Sequence, residues 1–554
     1  MQMDFKRLIL AVVFAFSIIL LWERWVQHNT PAAVPETAQS AAAADSSIPA
    51  PMASTEPGTT VPAGTAATLS AYAEAPRVTV RTDMMEAVVS AVGGDLIHVE
   101  LTHHKDSEDH SKNFVVLQES GKHQYIANTG LLGAEGLPTH KTILEPEQTG
   151  YVLKDGENSL VVRLKAPASA GIEVTKLLTF YRGSYVVDVA YEINNTSDKP
   201  LNATAYFQLA RDGQPAEHTK GFFGGVSTFT GPAFFTQEGK FQKVEFKKIE
   251  NNETSFVKSA KDGWVAMVQH YFVSAWLPNG DVQREFYTHK ISNDFYGAGV
   301  KLPVQVAAGA KQSIDVPLYV GPQEQDKLAK LATGFNKVVD YGLVTIFAEP
   351  LFWVLNMIHK IVGNWGWSII LVTILIKALF FPLSAASYKS MAKMKTLMPR
   401  MKALQERYKD DKMKLNQAMM ELYKTEKVNP MGGCLPILVQ MPVFIALYWV
   451  LLSVVEMRQA PWMFWITDLS VKDPYFILPL IMGATMFIQT KLNPTPPDPM
   501  QAKVMMIMPI MFTFMFLWFP SGLVLYWVVN NILSIAQQWY VTRMIERGEA
   551  KAAR

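Results

Sequence analysis

Five apolar runs of membrane length crowd the last third of this 554-residue chain, at about 363–385, 430–453, 474–490, 504–519 and 522–541. Inside a bilayer every backbone N–H and C=O must find its partner within the protein, so runs of this length specify helices packed as a bundle. Those at 474–490 and 504–519 are short. At ~1.5 Å per residue, about 16 residues cover roughly 24 Å of a ~30 Å hydrocarbon core. A further apolar run, Leu8–Leu21, follows Lys6 and Arg7 and precedes Trp22, Glu23, Arg24 and Trp25. A cleavage site wants small residues there, whereas Trp suits an interface, so residues 1–28 are expected to form an uncleaved anchor.

Residues 29–76 are mostly Ala, Pro, Thr, Ser and Gly, a composition with little to bury that predicts a disordered tether. From 77 to 322 the chain reads as short strands with a period near two, as in Ser159–Leu164 and Ser184–Tyr191, separated by turn signals such as Asp155-Gly156 and Asn279-Gly280. That pattern predicts an antiparallel β-sandwich. Residues 323–362 read as interfacial helices: a short one over Asp326–Gly334 and an amphipathic one over Tyr341–Val362, interrupted by Pro350. The expected fold class is therefore an α-helical membrane bundle, an N-terminal anchor plus a five-helix core over 363–541, joined to an all-β sandwich domain.

Lys and Arg placement orients the bundle. Segment 386–429 carries eleven of them against five acidic residues, and the tail 542–554 adds Arg543, Arg547, Lys551 and Arg554. Connection 454–473 has only Arg458 and Lys472. The positive-inside rule puts 386–429, the tail and both termini in the cytoplasm, and the β domain outside. Overall charge is nearly balanced, 51 Lys+Arg against 49 Asp+Glu, which argues against wholesale nucleic-acid binding. The single cysteine, Cys434, excludes an intrachain disulfide and reads as a small apolar residue.

The chain carries no Walker A loop, HExxH or nucleophile elbow, so neither an enzyme nor a cofactor is expected. The run His103–His110 reads as a solvated loop and no metal site is expected. The informative residue is Lys377, within Ile369–Phe381. An ammonium at the centre of a membrane helix costs about 2.5–3.5 kcal/mol on insertion scales, so it needs water or a partner, or it snorkels to the interface. Counted in depth, it lies eight residues from the end of its run. The same depth falls at Leu438, beside Gln440, on the second run, and near Ser534 on the last. Tyr526, Asn530, Ser534, Gln537 and Gln538 share one stripe of that last run, and Thr373 shares a face with Lys377 at i−4. Helix-to-helix hydrogen bonding is the plainer use of such residues. None of the five runs contains Asp or Glu, so a carboxylate partner for Lys377 has to come from outside the bundle.

Segment 386–429 has a near-heptad of Met391, Met394, Met398, Met401 and Tyr408, continued by Leu415, Met419 and Leu422 after Asp410-Asp411. It reads as a helical hairpin with a methionine-rich face, either a plain seam or a surface for varied apolar partners, flanked by Lys393 and Lys395.

Four stretches carry a resemblance: Tyr388–Met394, Glu426–Cys434, Leu438–Pro442 and Trp518–Tyr526. With them the whole chain resembles the YidC-type membrane protein insertases of the Gram-negative kind. The resemblance implies an inner-membrane, multi-pass protein with a periplasmic β domain like a sugar-mutarotase supersandwich. It also implies a hydrophilic groove open to cytoplasm and lipid, built from Lys377, Thr373, Gln440, Tyr526, Trp527, Asn530 and Ser534. Nascent membrane proteins are the implied substrates, with the Sec translocation channel, the ribosome and membrane lipids as partners and no nucleotide hydrolysis. The family's groove cation is usually Arg. Lys377 keeps the charge and loses the bidentate geometry. Where a Tyr-Tyr pair is expected this chain has Tyr526-Trp527. A secondary transporter or channel for a small solute is the alternative, and it calls for internal repeats, broken helices or acidic midplane sites.

Overall fold

The computed structural model describes residues 75–107, 109–119, 123–214, 229–292, 294–409, 411–426, 435–493 and 499–552. The expected anchor, nearly all of the tether and Cys434 lie outside these residues. The described residues fall into two compact units, divided between Asp340 and Tyr341.

The first unit is a two-sheet sandwich. One sheet has ten strands, in the order Ser259–Ala260, Arg284–Ser292, Phe295–Val306, Leu201–Asp212, Tyr125–Leu132, Leu96–Lys105, Met85–Ser90, Arg77–Arg81 and Gly150–Val152, with Asn113–Leu117 paired to Leu96–Lys105. The other has nine, running from Lys240–Lys243 through Lys311–Pro322 and Val186–Asn195 to Glu145–Pro146. Ser159–Lys165 and Val186–Asn195 alternate buried and exposed residues as their sequence period demands, so one face of each strand enters a single large core. The turn glycines Gly156 and Gly280 take φ of 89° and 72°, the left-handed region that Asp-Gly and Asn-Gly signals call for.

Four expectations need correcting in these elements. Arg77–Arg81 and Gly150–Val152 pair in parallel, so the sandwich is not wholly antiparallel. His103 and His104 are not in a loop: they end the strand Leu96–Lys105, and the His104 ring meets Phe272 edge-on at 5.5 Å. The expected helix over 326–334 is a helix at Gln325–Leu331, then a 3-10 turn at Phe335–Val338 after Gly334, whose φ is 72°. Pro350 does not interrupt its helix, since α1 runs unbroken over Thr345–Val362. Pro350 is its sixth residue, so the helix runs on without the hydrogen bond that an N–H there would give to Ile346 O.

The second unit is helical. After α1 come α2 (Trp365–Leu379), α3 (Phe381–Arg407), α4 (Lys412–Thr425), α5 (Leu435–Ser453), α6 (Ile477–Leu492), α7 (Pro499–Phe516) and α8 (Ser521–Ala552). The expected first span, 363–385, is broken: α2 and α3 meet at Phe380 with a bend of 66°. Pro382 explains it, because it has no N–H for the carbonyl of Ala378 and its ring crowds that carbonyl. The last helix continues through the expected tail as far as Ala552. Among the described residues no single helix is both long and apolar enough to cross a membrane, and the bent α2–α3 pair meets that length and composition only when its two helices are taken together. α8 packs on α6, α2 and α3, and α6 on α7. A Cβ on Gly483 of α6 would fall 2.0 Å from Thr513 Oγ1 of α7, so this crossing depends on a glycine.

One ion pair lies wholly inside the sandwich. Lys176 and Asp95, with side chains 2% and 0% exposed, are 3.7 Å apart, and Lys176 Nζ donates to Gly93 O at 2.9 Å. Burial pulls the Lys176 ammonium down to about 8, against the pull of Asp95. The folded state thus holds this proton less tightly than the unfolded chain does. Its cost is in full force below pH ~8 and is relieved as pH rises toward the ordinary lysine value, ~10.4. Lys176→Met should destabilise the β domain by about 3–5 kcal/mol by removing the ammonium that faces the buried Asp95 carboxylate, and Asp95→Asn in the same chain should restore much of that. Denaturation of the full-length chain, followed by near-UV dichroism of the β domain's Trp residues, measures both. It should also show wild-type stability gaining more than Lys176→Met between pH 8 and pH 10.

Candidate functional site

α2 buries one face: Trp365, Gly366, Ser368, Ile369, Val372, Thr373, Ile376 and Lys377, the three-to-four spacing of a single helical stripe. Asn364 caps its start by accepting from Trp367 N at 3.1 Å. Lys377 lies two residues from the end of α2, not eight from the end of a longer span, because the chain bends at Phe380. In this last turn a cation also meets the negative end of the helix dipole.

Lys377 Nζ donates to Ser534 Oγ at 2.7 Å, and Ser534 Oγ donates onward to Asn530 O at 2.7 Å. Gln537 Nε2 donates to Lys377 O at 3.3 Å, meeting one of the carbonyls that the end of α2 leaves without an intrahelical partner. Lys377, Thr373 and Ser534 are 4%, 1% and 3% exposed. Among the described residues no carboxylate pairs with Lys377, whose neighbour here is a neutral hydroxyl. An ammonium has three donors, and Ser534 takes one. Thr373 turns its own hydroxyl back to Ile369 O at 2.6 Å. Lys377, Ser534 and Gln537, with the backbone carbonyl of Asn530, therefore form one polar layer between α2 and α8, and Thr373 lies one turn earlier on α2.

The other expected residues lie elsewhere. Gln440 is half-buried in the first turns of α5, and no hydrogen bond ties it to Lys377 or Ser534 among the described residues. Tyr526 and Trp527 sit about 12 Å along α8 from the Ser534 level. They join an aromatic layer: Tyr526 stacks on Phe444 at 5.9 Å, and Trp527 meets Phe444 at 4.8 Å and Phe516 at 5.5 Å. The polar stripe is thus two layers of different chemistry. One contact was not anticipated, Asn531 Nδ2 to Thr485 Oγ1 at 3.2 Å, which ties α8 to α6. Its signal is an asparagine beside the stripe in an apolar run.

The far ends of the helices are held by the connection after α5. Asn364 Nδ2 donates to Pro461 O and Trp462 O, both at 3.1 Å. Asp473, 1% exposed, accepts from Trp465 Nε1, Tyr475 N and Leu478 N, the last at the start of α6. Ser521 Oγ and Gly522 N, at the start of α8, donate to Asp468 O and Leu469 O. The starts of α2, α6 and α8 are fastened to one loop.

The hairpin is α3 with α4, joined by Arg400–Glu426 at 2.6 Å. Leu397 and Met401 are buried in its seam with Met394, Met398, Met419, Leu422 and Tyr423. The expected contact methionines Met394, Met398 and Met401 therefore fill the seam, as a near-heptad dictates, and Met391 lines a cavity beside α8. The outward methionines are Met413 and Met420, and Lys393 and Lys395 are exposed.

Residues 77–354 match the family described as the YidC periplasmic domain, and residues 357–549 the family described as 60Kd inner membrane protein. The membrane protein insertase YidC of Aromatoleum aromaticum is 59% identical over 99% of this chain and 100% of its own length. That of Dechloromonas aromatica is 55% identical over 100% of this chain and 99% of its own length. A crystal structure of an active YidC insertase with the first transmembrane domain resolved covers 85% of this chain and 96% of its own, at 19% identity and a TM-score of 0.38. These relatives lend no support to a small-solute transporter. With a β sandwich and a helical core each matched along its length, and relatives aligned from end to end, the chain belongs to the YidC family of bacterial inner-membrane protein insertases.

Proposed function

We propose that this chain inserts nascent membrane proteins by offering Lys377 to the polar or acidic flank of a substrate hairpin that enters from the cytoplasm between α2, α5 and α8. The observation that carries this reading is the buried Lys377 ammonium, bonded to the Ser534 hydroxyl and paired with no carboxylate among the described residues. A neutral partner holds the cation in place without cancelling its charge, so an arriving carboxylate gains the charge-assisted bond that Ser534 cannot supply. Gln440 lies near the entry and Thr373 behind it. The substrate's apolar residues pass into lipid along α5 and α7, where Met506, Ile507, Ile510, Met511 and Phe514 of α7 are exposed. Burial of about 20 apolar residues drives the process, and a bilayer thinned over the 16-residue α6 shortens the path of the polar flank. The mechanism uses no nucleotide, metal or other cofactor, and no reaction is assigned to the β domain.

In this reading both termini, the hairpin and the end of α8 are cytoplasmic, because eleven basic residues lie in 386–429. The hairpin meets the nascent chain first. Met413 and Met420 offer contact, Lys393 and Lys395 offer charge, and the ribosome and the Sec channel are its partners.

Lys377→Arg should keep insertion. Lys377→Ala should slow substrates with acidic translocated flanks by about ten- to a hundredfold, equivalent to the ~1.5–3 kcal/mol of a hydrogen bond to a charged group. Lys377→Glu should slow them further, by like-charge repulsion. Insertion into proteoliposomes, followed by protease protection, measures this, and normal rates for Lys377→Ala with every such substrate would reduce Lys377 to a snorkelling side chain. Replacing residues 393–424 with a Gly/Ser linker should leave a folded core yet slow insertion severely. Normal insertion by that variant at normal protein level would remove recruitment from the hairpin.

A further inference from the structure

A cavity of about 280 Å³ opens between α3, the end of α6 and α8, and adjoins the Lys377 layer at Tyr388, whose side chain hydrogen-bonds Ser534. Lys395 and Arg543 bring two positive charges to its wall, Tyr388 and Thr542 bring hydroxyls, and no carboxylate lines it among the described residues. Arg543 is held over the Trp539 ring, 4.3 Å from its centroid, which fixes the guanidinium on the rim. Gln538, 5% exposed, donates from Nε2 to Asn493 Oδ1 at 3.1 Å, which ties α8 to the end of α6 beside the cavity. The wall thus offers cationic and neutral donors.

The level of the cavity matters as much as its chemistry. It includes Leu492, the last residue of α6, and it faces the stretch of α8 where Trp539 and Tyr540 are half exposed. Aromatic rings in that setting mark a membrane–water interface, the depth of phospholipid phosphates. The volume falls just under the ~300–1,000 Å³ of pockets for drug-sized ligands and suits a headgroup.

We propose that this cavity binds the phosphodiester of an anionic phospholipid such as phosphatidylglycerol. Arg543 and Lys395 take the phosphate oxygens and Thr542 adds a neutral donor. The headgroup joins the hairpin helix to the last helix of the core. The proposal depends on the membrane placement of α6 and α8, and not on how substrates are inserted.

The test uses the full-length protein without substrate, in nanodiscs of mixed phosphatidylcholine and phosphatidylglycerol, with bound lipid counted by native mass spectrometry. Wild type should retain phosphatidylglycerol over phosphatidylcholine. Lys395→Gln with Arg543→Gln should weaken that retention about thirtyfold, at roughly fivefold for each cation near a charged surface. Lys402→Gln with Lys424→Gln removes the same charge from the hairpin away from the cavity and should leave retention intact. Lys395→Arg with Arg543→Lys, which keeps both charges, should retain the lipid and so exclude misfolding as the cause. Equal loss in the two Gln pairs, or loss in the charge-preserving pair, overturns the site. Displacement of the lipid by an equal concentration of free glycerol phosphate overturns its assignment to a lipid.

Discussion

A positive charge buried in an apolar bundle, and paired with no carboxylate among the described residues, must be held by dipoles, and the core of this protein is arranged around that requirement. Lys377 ends α2, where the helix dipole favours a cation, and Ser534 receives one of its protons while passing its own to Asn530 O. Gln537 meets the carbonyl of the same lysine. The bend at Phe380 makes this possible, because a straight helix would bond that carbonyl internally and place Lys377 in mid-span. Residue type, helix break and neighbouring stripe are thus one arrangement, in which a cation is stabilised without being neutralised.

Much of this was legible in the chain, and the misses have physical causes. Period-two strands of the β domain showed because each has one face in a core, and Lys377 with Ser534 showed because a charge and a polar stripe stand out in apolar runs. The break at Phe380 was hidden from hydropathy, since Ala378, Leu379, Phe380, Phe381 and Leu383 are all apolar, although Pro382 was in view. Tyr526 shares a face with Ser534 yet belongs to another layer, for the reason that periodicity reports direction around a helix and not contact along it. The seam methionines could not be separated from Met413 and Met420 until α3 and α4 were seen packed. Asn531 with Thr485 needed the α6–α8 crossing, which no local pattern encodes.

The β domain follows a different economy. Most of its buried apolar residues form one large core, and two of its buried charges, Lys176 and Asp95, are set against each other. Among the described residues the Lys377 ammonium has no such counterpart. A buried lysine is thus paired with a carboxylate in one unit and with a hydroxyl in the other.

The loop after α5 gives the helical unit a mechanical polarity. Asn364, Asp473 and Ser521 fasten the starts of α2, α6 and α8 to it, while the opposite ends meet the bend and the polar layer. Helices clamped at one end behave as fingers on a common knuckle. A helix of 16 residues is about 24 Å long, so a tilt of roughly 10° about the clamp displaces its free tip by about 4 Å and its root hardly at all. A tilt of this kind widens the bundle most at the level of Lys377 and least beside the loop.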